Sequence, residues 1–90
     1  MITVIWDLED DPQGNVQHIA EHDVTPDEVD EILNDRYSRT THSASSGRPI
    51  TFGWTSEGRY LAVVWELIEE DPLVAYPVTA YPAPVPKEVN

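Results

Sequence analysis

The sequence predicts an α+β fold, with two short helices packed on one face of a single antiparallel sheet in the order β-α-α-β-β-β-β. Three observations point there. Thr25-Pro26-Asp27-Glu28 is a helix start, and Val29, Ile32 and Leu33 follow it at helical spacing. Pro49 to Thr55 and Tyr60 to Ile68 are strand-like runs separated only by Ser56-Glu57-Gly58. A further run, Leu73 to Tyr81, comes after the turn Glu69-Glu70-Asp71-Pro72.

In chain order, residues 2–6 place Ile2, Val4 and Trp6 on one side of a first strand, with Thr3 and Ile5 on the other. Asp7 to Gly14 is an acidic loop. Residues 15–22 form a first helix whose stripe is Val16, Ile19 and Ala20, leaving Asn15, His18 and His22 together on a flanking face, with both imidazoles open to solvent or ligand. The second helix spans 26–34. Thr25 caps it, Glu28 reaches back to the Thr25 amide, and Pro26 occupies the first helical position, where a missing N–H costs nothing. Asp27, Glu28, Asp30 and Glu31 put negative charge near the positive end of its dipole. About three turns are not stable alone, so this helix must pack.

Arg36 to Ser43 reads as a polar second strand, and Ser43-Ala44-Ser45-Ser46-Gly47 as a turn. Pro49–Thr55 is one-sided, with Ile50, Phe52 and Trp54 opposite Thr51, Gly53 and Thr55. Ser56-Glu57-Gly58 closes a hairpin. Tyr60–Ile68 is apolar on both faces, the mark of a central strand. Pro77 cannot donate to a ladder, so the last strand is an edge or a bulged one. Residues 1–81 form one domain. Pro82, Pro84 and Pro86 make 82–90 an extended, flexible tail.

Ninety residues without cysteine exclude a disulfide framework and a thiolate metal site. Neither a signal peptide nor a transmembrane segment is read, so no membrane association and a cytoplasmic location are expected. The net charge of −12 is unevenly spread. Residues 1–35 hold eleven Asp/Glu and no Lys or Arg; residues 36–65 hold four arginines against Glu57; residues 66–90 hold five acids against Lys87. Such acidity disfavours nucleic acid overall. It serves solubility or salt adaptation, or it marks a surface for a basic partner.

Three constellations of side chains bear on chemistry. His18-Ile19-Ala20-Glu21-His22 matches H-x-x-E-H, but ninety residues offer little room for a third ligand and a peptide cleft. Two surface histidines are the better reading. Asp7, Glu9, Asp10 and Asp11 fit no EF-hand spacing and read as a solvated loop. No metal or cofactor is therefore assigned. The third is RNA cleavage by attack of its own 2′-hydroxyl, which needs a base, an acid and cations for the phosphorane charge. His22 suits the first roles, and Arg59, Arg36, Arg39 and Arg48 are candidate phosphate-binding groups.

Four local matches carry a family resemblance: Trp6-Asp7; Asn15 followed by His22-Asp23-Val24-Thr25-Pro26-Asp27-Glu28-Val29; Gly58-Arg59-Tyr60-Leu61-Ala62-Val63-Val64; and Val78-Thr79-Ala80-Tyr81. They resemble the "WD", "N…KHGVSFEEA", "GRxLxVV" and final "SAR" segments of the BrnT-type toxins, small ribonucleases of bacterial toxin–antitoxin pairs with a RelE-like fold. Glu9, Asp10 and Asp11 occupy the loop where the family has a lysine. Glu21 replaces the lysine before the histidine, and Tyr81 replaces the arginine of the last strand. Residue by residue, Asn15, His22 and Arg59 carry over as the catalytic set. The resemblance implies a toxin-related protein, with ribonuclease activity retained or lost, that pairs with an antitoxin-like protein or with itself. The alternative is a non-enzymatic acidic interaction module. Arginines converging on His22 favour the ribonuclease; arginines dispersed over the surface favour the module.

Overall fold

The computed structural model describes residues 1–87. It is an α+β fold with the elements β1 (Thr3–Val4), α1 (Asn15–Ala20), α2 (Pro26–Asn34), β2 (Arg39–His42), β3 (Pro49–Trp54), β4 (Tyr60–Glu70) and β5 (Leu73–Pro82). Among the described residues, no helix is long and apolar enough to cross a membrane.

The five strands form one sheet in the order β1-β5-β4-β3-β2. β2 to β5 are an antiparallel meander, as expected. The sheet is mixed and not wholly antiparallel, because β1 pairs parallel to β5, with Thr3 opposite Val74 and Val4 opposite Ala75. The meander leaves one outer edge free beside β2 and one beside β5, and the first strand takes the one beside β5. β1 and β2 then lie at opposite edges. The helical segment joining them crosses one face of the sheet, with α1 against β5 and α2 against β3 and β4. Among the described residues, the other face has no helix on it.

β4 is central, as its two apolar faces predicted. Leu61 and Val63 point into the helix side and are fully buried with Ile19, Val29, Ile32, Ala75 and Ala80. The capping box of α2 forms as read: the Glu28 amide donates to Thr25 Oγ1, and the Thr25 amide donates to Glu28 Oε1. Gly53 faces α2, and a β-carbon there would press on Ser38 and on Ile32 Cγ2 at 3.1 Å. Only glycine lets the helix approach this closely.

Two elements differ from expectation in a way that matters for the site. The buried residues of α1 are Asn15 and Ile19, while Ala20 is exposed. Pro77 lies beyond the two-residue β1, where β5 has no strand neighbour on that side and the missing N–H leaves no gap in a ladder. The register shift between Val64 and Trp65 falls next to it. Of the proline-rich tail, Pro82 belongs to β5, residues 83–87 carry no regular structure, and 88–90 lie outside the described residues.

Candidate functional site

Of the residues carried over from the resemblance, His22 and Arg59 lie at the end of the sheet where α1 turns into α2 and β3 turns into β4, while Asn15 sits at the start of α1. The regular part of α1 ends at Ala20. The Val24 amide then donates to the Ile19 carbonyl at 3.1 Å and the Asp23 amide to Ala20 at 3.0 Å. This is the Schellman closure, with Asp23 in the left-handed position at φ 59°. It buries Val24 against Ile19 and turns His22 and Asp23 outward. The H-x-x-E-H match therefore straddles a helix end, with His18 inside α1 and Glu21 and His22 in its closing turn.

Arg59 reaches this turn from the hairpin. Its Nη1 donates to the Asp23 carbonyl at 2.9 Å and to both Glu28 oxygens at 2.9 and 2.8 Å. The pair is partly sheltered, the side chains being 33% and 18% exposed. Glu28 thus closes the helix cap and binds the guanidinium at once. A second clamp joins the same elements, the Ser56 amide donating to Glu31 Oε2 at 3.0 Å. Between α2 and the hairpin lies a groove of about 680 Å³. Asp23, Asp27, Glu28, Asp30, Glu31 and Glu57 line it together with Arg59, so one guanidinium stands among six carboxylates.

His22 is exposed, with its ring edge-on to Tyr81 at 6.2 Å between centroids. Asn15 is not beside it in solvent. It is 1% exposed, and its side chain is a structural hub. Its Oδ1 accepts from the Asp7 amide at 3.0 Å, and its Nδ2 donates to the carbonyls of Ile5 and Pro77, both at 3.0 Å. The face shared by Asn15, His18 and His22 in the sequence reading is thus split: the histidines are exposed, while every polar atom of the Asn15 side-chain amide is engaged inside the protein.

The other arginines do not gather here. Arg36 stacks over the Tyr37 ring at 4.9 Å and donates to its hydroxyl. Arg39 is exposed on the edge strand β2, opposite Phe52. Arg48 pairs with Glu66 at 3.0 Å. It precedes β3 while Arg59 follows it, so the strand holds the two roughly 20 Å apart at about 3.3 Å per residue.

Sequence reasoning passed over the support beneath the site. Asp7 Oδ2 accepts the Tyr76 hydroxyl at 2.6 Å and the Asn15 amide at 2.9 Å. Those bonds, the hydroxyl first, hold the Asp7 carboxyl below its ordinary 3.8. The same bond, with burial and nearby negative charge, pushes the Tyr76 hydroxyl up to about 12. The signs follow directly. The Asp7 contribution is full above its ordinary value and is lost as pH falls through the depressed one. The Tyr76 contribution is full below 10.0 and is lost as pH rises through about 12. In Tyr76→Phe, the alkaline loss of stability should disappear and the acid loss should become smaller and be complete at a higher pH. Thermal unfolding followed from about pH 3 to about pH 11 checks both limbs. An unchanged profile would remove the bond from the account.

Among known proteins, no family model matches the chain, and neither curated proteins nor solved structures give a significant match.

Proposed function

We propose that this chain is a BrnT-like, toxin-related protein that works by binding a partner in the cytoplasm and does not cleave RNA. The state of Arg59 carries this reading. Cleavage needs a cation free to meet a phosphate beside the base. Here the Arg59 guanidinium is held by both oxygens of Glu28 and by the carbonyl of Asp23, the residue after His22. A phosphate approaching it meets six carboxylates. Arg36, Arg39 and Arg48 lie elsewhere on the surface, the dispersal that favours an interaction module. The fold is then a platform for an antitoxin-like protein or for another copy of the chain.

One observation keeps the ribonuclease in view as the second reading. The His22 ring lies edge-on to the Tyr81 phenol, and Arg59 binds the carbonyl of Asp23, the residue after His22. Incubation of purified protein with single-stranded RNA separates the two. Intact RNA at high protein concentration, with His22→Ala indistinguishable from the parent, is expected. Cleavage abolished by His22→Ala would overturn the binding reading.

A further inference from the structure

The sheet face away from the helices carries aromatic side chains at the β3–β4 hairpin. Trp54 pairs with Tyr60, and Phe52 with Ala62, so these residues share a face. The alternate positions Leu61 and Val63 fill the core on the other side. The Trp54 and Tyr60 rings lie 4.9 Å apart, and Phe52 and Tyr60 6.2 Å. Trp54 is 46% exposed. Its hairpin loop, through Ser56 and Glu57, also borders the acidic groove. An aromatic surface and an anionic one therefore meet at a single loop.

The chain contains a segment of matching chemistry. Pro82-Ala83-Pro84-Val85-Pro86-Lys87 has proline at every second position and ends in the sole lysine of the sequence. Such segments favour the polyproline II helix and dock on aromatic grooves at low entropic cost. Pro84 to Lys87 are exposed, and none of them lines the groove of its own molecule. The Ala83 amide donates to the Tyr60 carbonyl at 3.0 Å, so the segment departs beside the aromatic cluster. To reach its own Trp54 it would have to reverse at once. Ala83 precedes Pro84 and Val85 precedes Pro86, and a residue before proline is held extended. The segment is directed outward.

We propose that two copies of the chain associate by exchanging these segments. The prolines of each lie on Phe52, Trp54 and Tyr60 of the other, and Lys87 enters the other's carboxylate groove beside Glu57. Charge complementarity selects this occupant, since the only ammonium side chain meets six carboxylates. Geometry closes the assembly. Departure point and docking surface adjoin at Tyr60, so a twofold axis there satisfies both exchanges at once. Five residues in polyproline II give a reach of about 15 Å at ~3.1 Å each. The proposal rests on the reading that the chain acts by binding, and it names the partner as a second copy.

Sedimentation velocity of the full chain from about 10 μM to about 1 mM tests it. A dimer is expected, weakened by added salt because the lysine contact is solvent-facing. Lys87→Glu and Trp54→Ala should each raise the dissociation constant about tenfold or more. Lys87 lies outside the core, so its substitution cannot act by unfolding the domain. A peptide with the sequence of residues 82–87 should shift Trp fluorescence in the parent but not in Trp54→Ala. A monomer at every concentration, or a dimer unaffected by both substitutions, would overturn the exchange. A monomer whose Lys87 cross-links to its own Glu57 would overturn it as well. RNA cleavage is scored separately, so it can sink the binding reading while leaving the dimer measurement standing.

Discussion

Asn15→Ala is expected to destabilise the fold by about 3 kcal/mol, with no role in substrate contact involved. The side chain bridges three segments at once: the end of β1 through the Ile5 carbonyl, the acidic loop through the Asp7 amide, and β5 through the Pro77 carbonyl. Alanine leaves one donor and two acceptors without partners where the site is 1% exposed. Each such loss costs roughly 1–3 kcal/mol when water cannot enter, and partial relaxation keeps the total well below the sum. Asn15→Asp should be nearly as harmful, because a carboxylate cannot donate to the Ile5 and Pro77 carbonyls. Urea unfolding read by Trp fluorescence checks this. A loss under about 1 kcal/mol would mean that the carbonyls find other partners.

Ile32→Ala should cost about 3–4 kcal/mol. Ile32 is fully buried on α2, and its Cγ2 lies over the bare backbone of Gly53 in β3. The strand cannot move in to fill the void, because β3 is held on both sides by β2 and β4. The cavity term therefore adds to the transfer term almost in full. Leu8→Ala is the matched control. Leu8 is 76% exposed, and its truncation should stay within about 0.5 kcal/mol. Equal losses in the two variants would place the core elsewhere than between α2 and the sheet.

The legible parts of the fold were those written in local chemistry. Thr25, Pro26 and Glu28 specify a helix start within four residues, and the cap forms atom for atom as the spacing implied. The both-faced apolarity of Tyr60–Ile68 located the central strand for the same kind of reason. What was hidden depends on partners distant in sequence. Asn15 at a helix start reads as a polar surface residue; only the approach of Pro77, 62 positions away, makes it a buried hub. The direction of β1 was hidden too, since two residues carry no register signal of their own. At the site, the nearness of Arg59 to His22 was visible only through the resemblance. Its capture by Glu28 was not visible, because the capping box already gave that carboxylate a complete local explanation. The acidic groove had a signal that passed unused: Asp27, Asp30 and Glu31 repeat at helical spacing opposite the buried stripe.

The parallel seam between β1 and β5 also bears on how the chain matures. Thr3 and Val4 leave the ribosome long before their partners Val74 and Ala75, which lie about 70 positions later in the chain. The Asn15 amide waits equally long for Pro77. Contacts this far apart in sequence close slowly. Until translation has passed β5, β1 and α1 lack their partner strand, while α2 can already pack on β3 and β4.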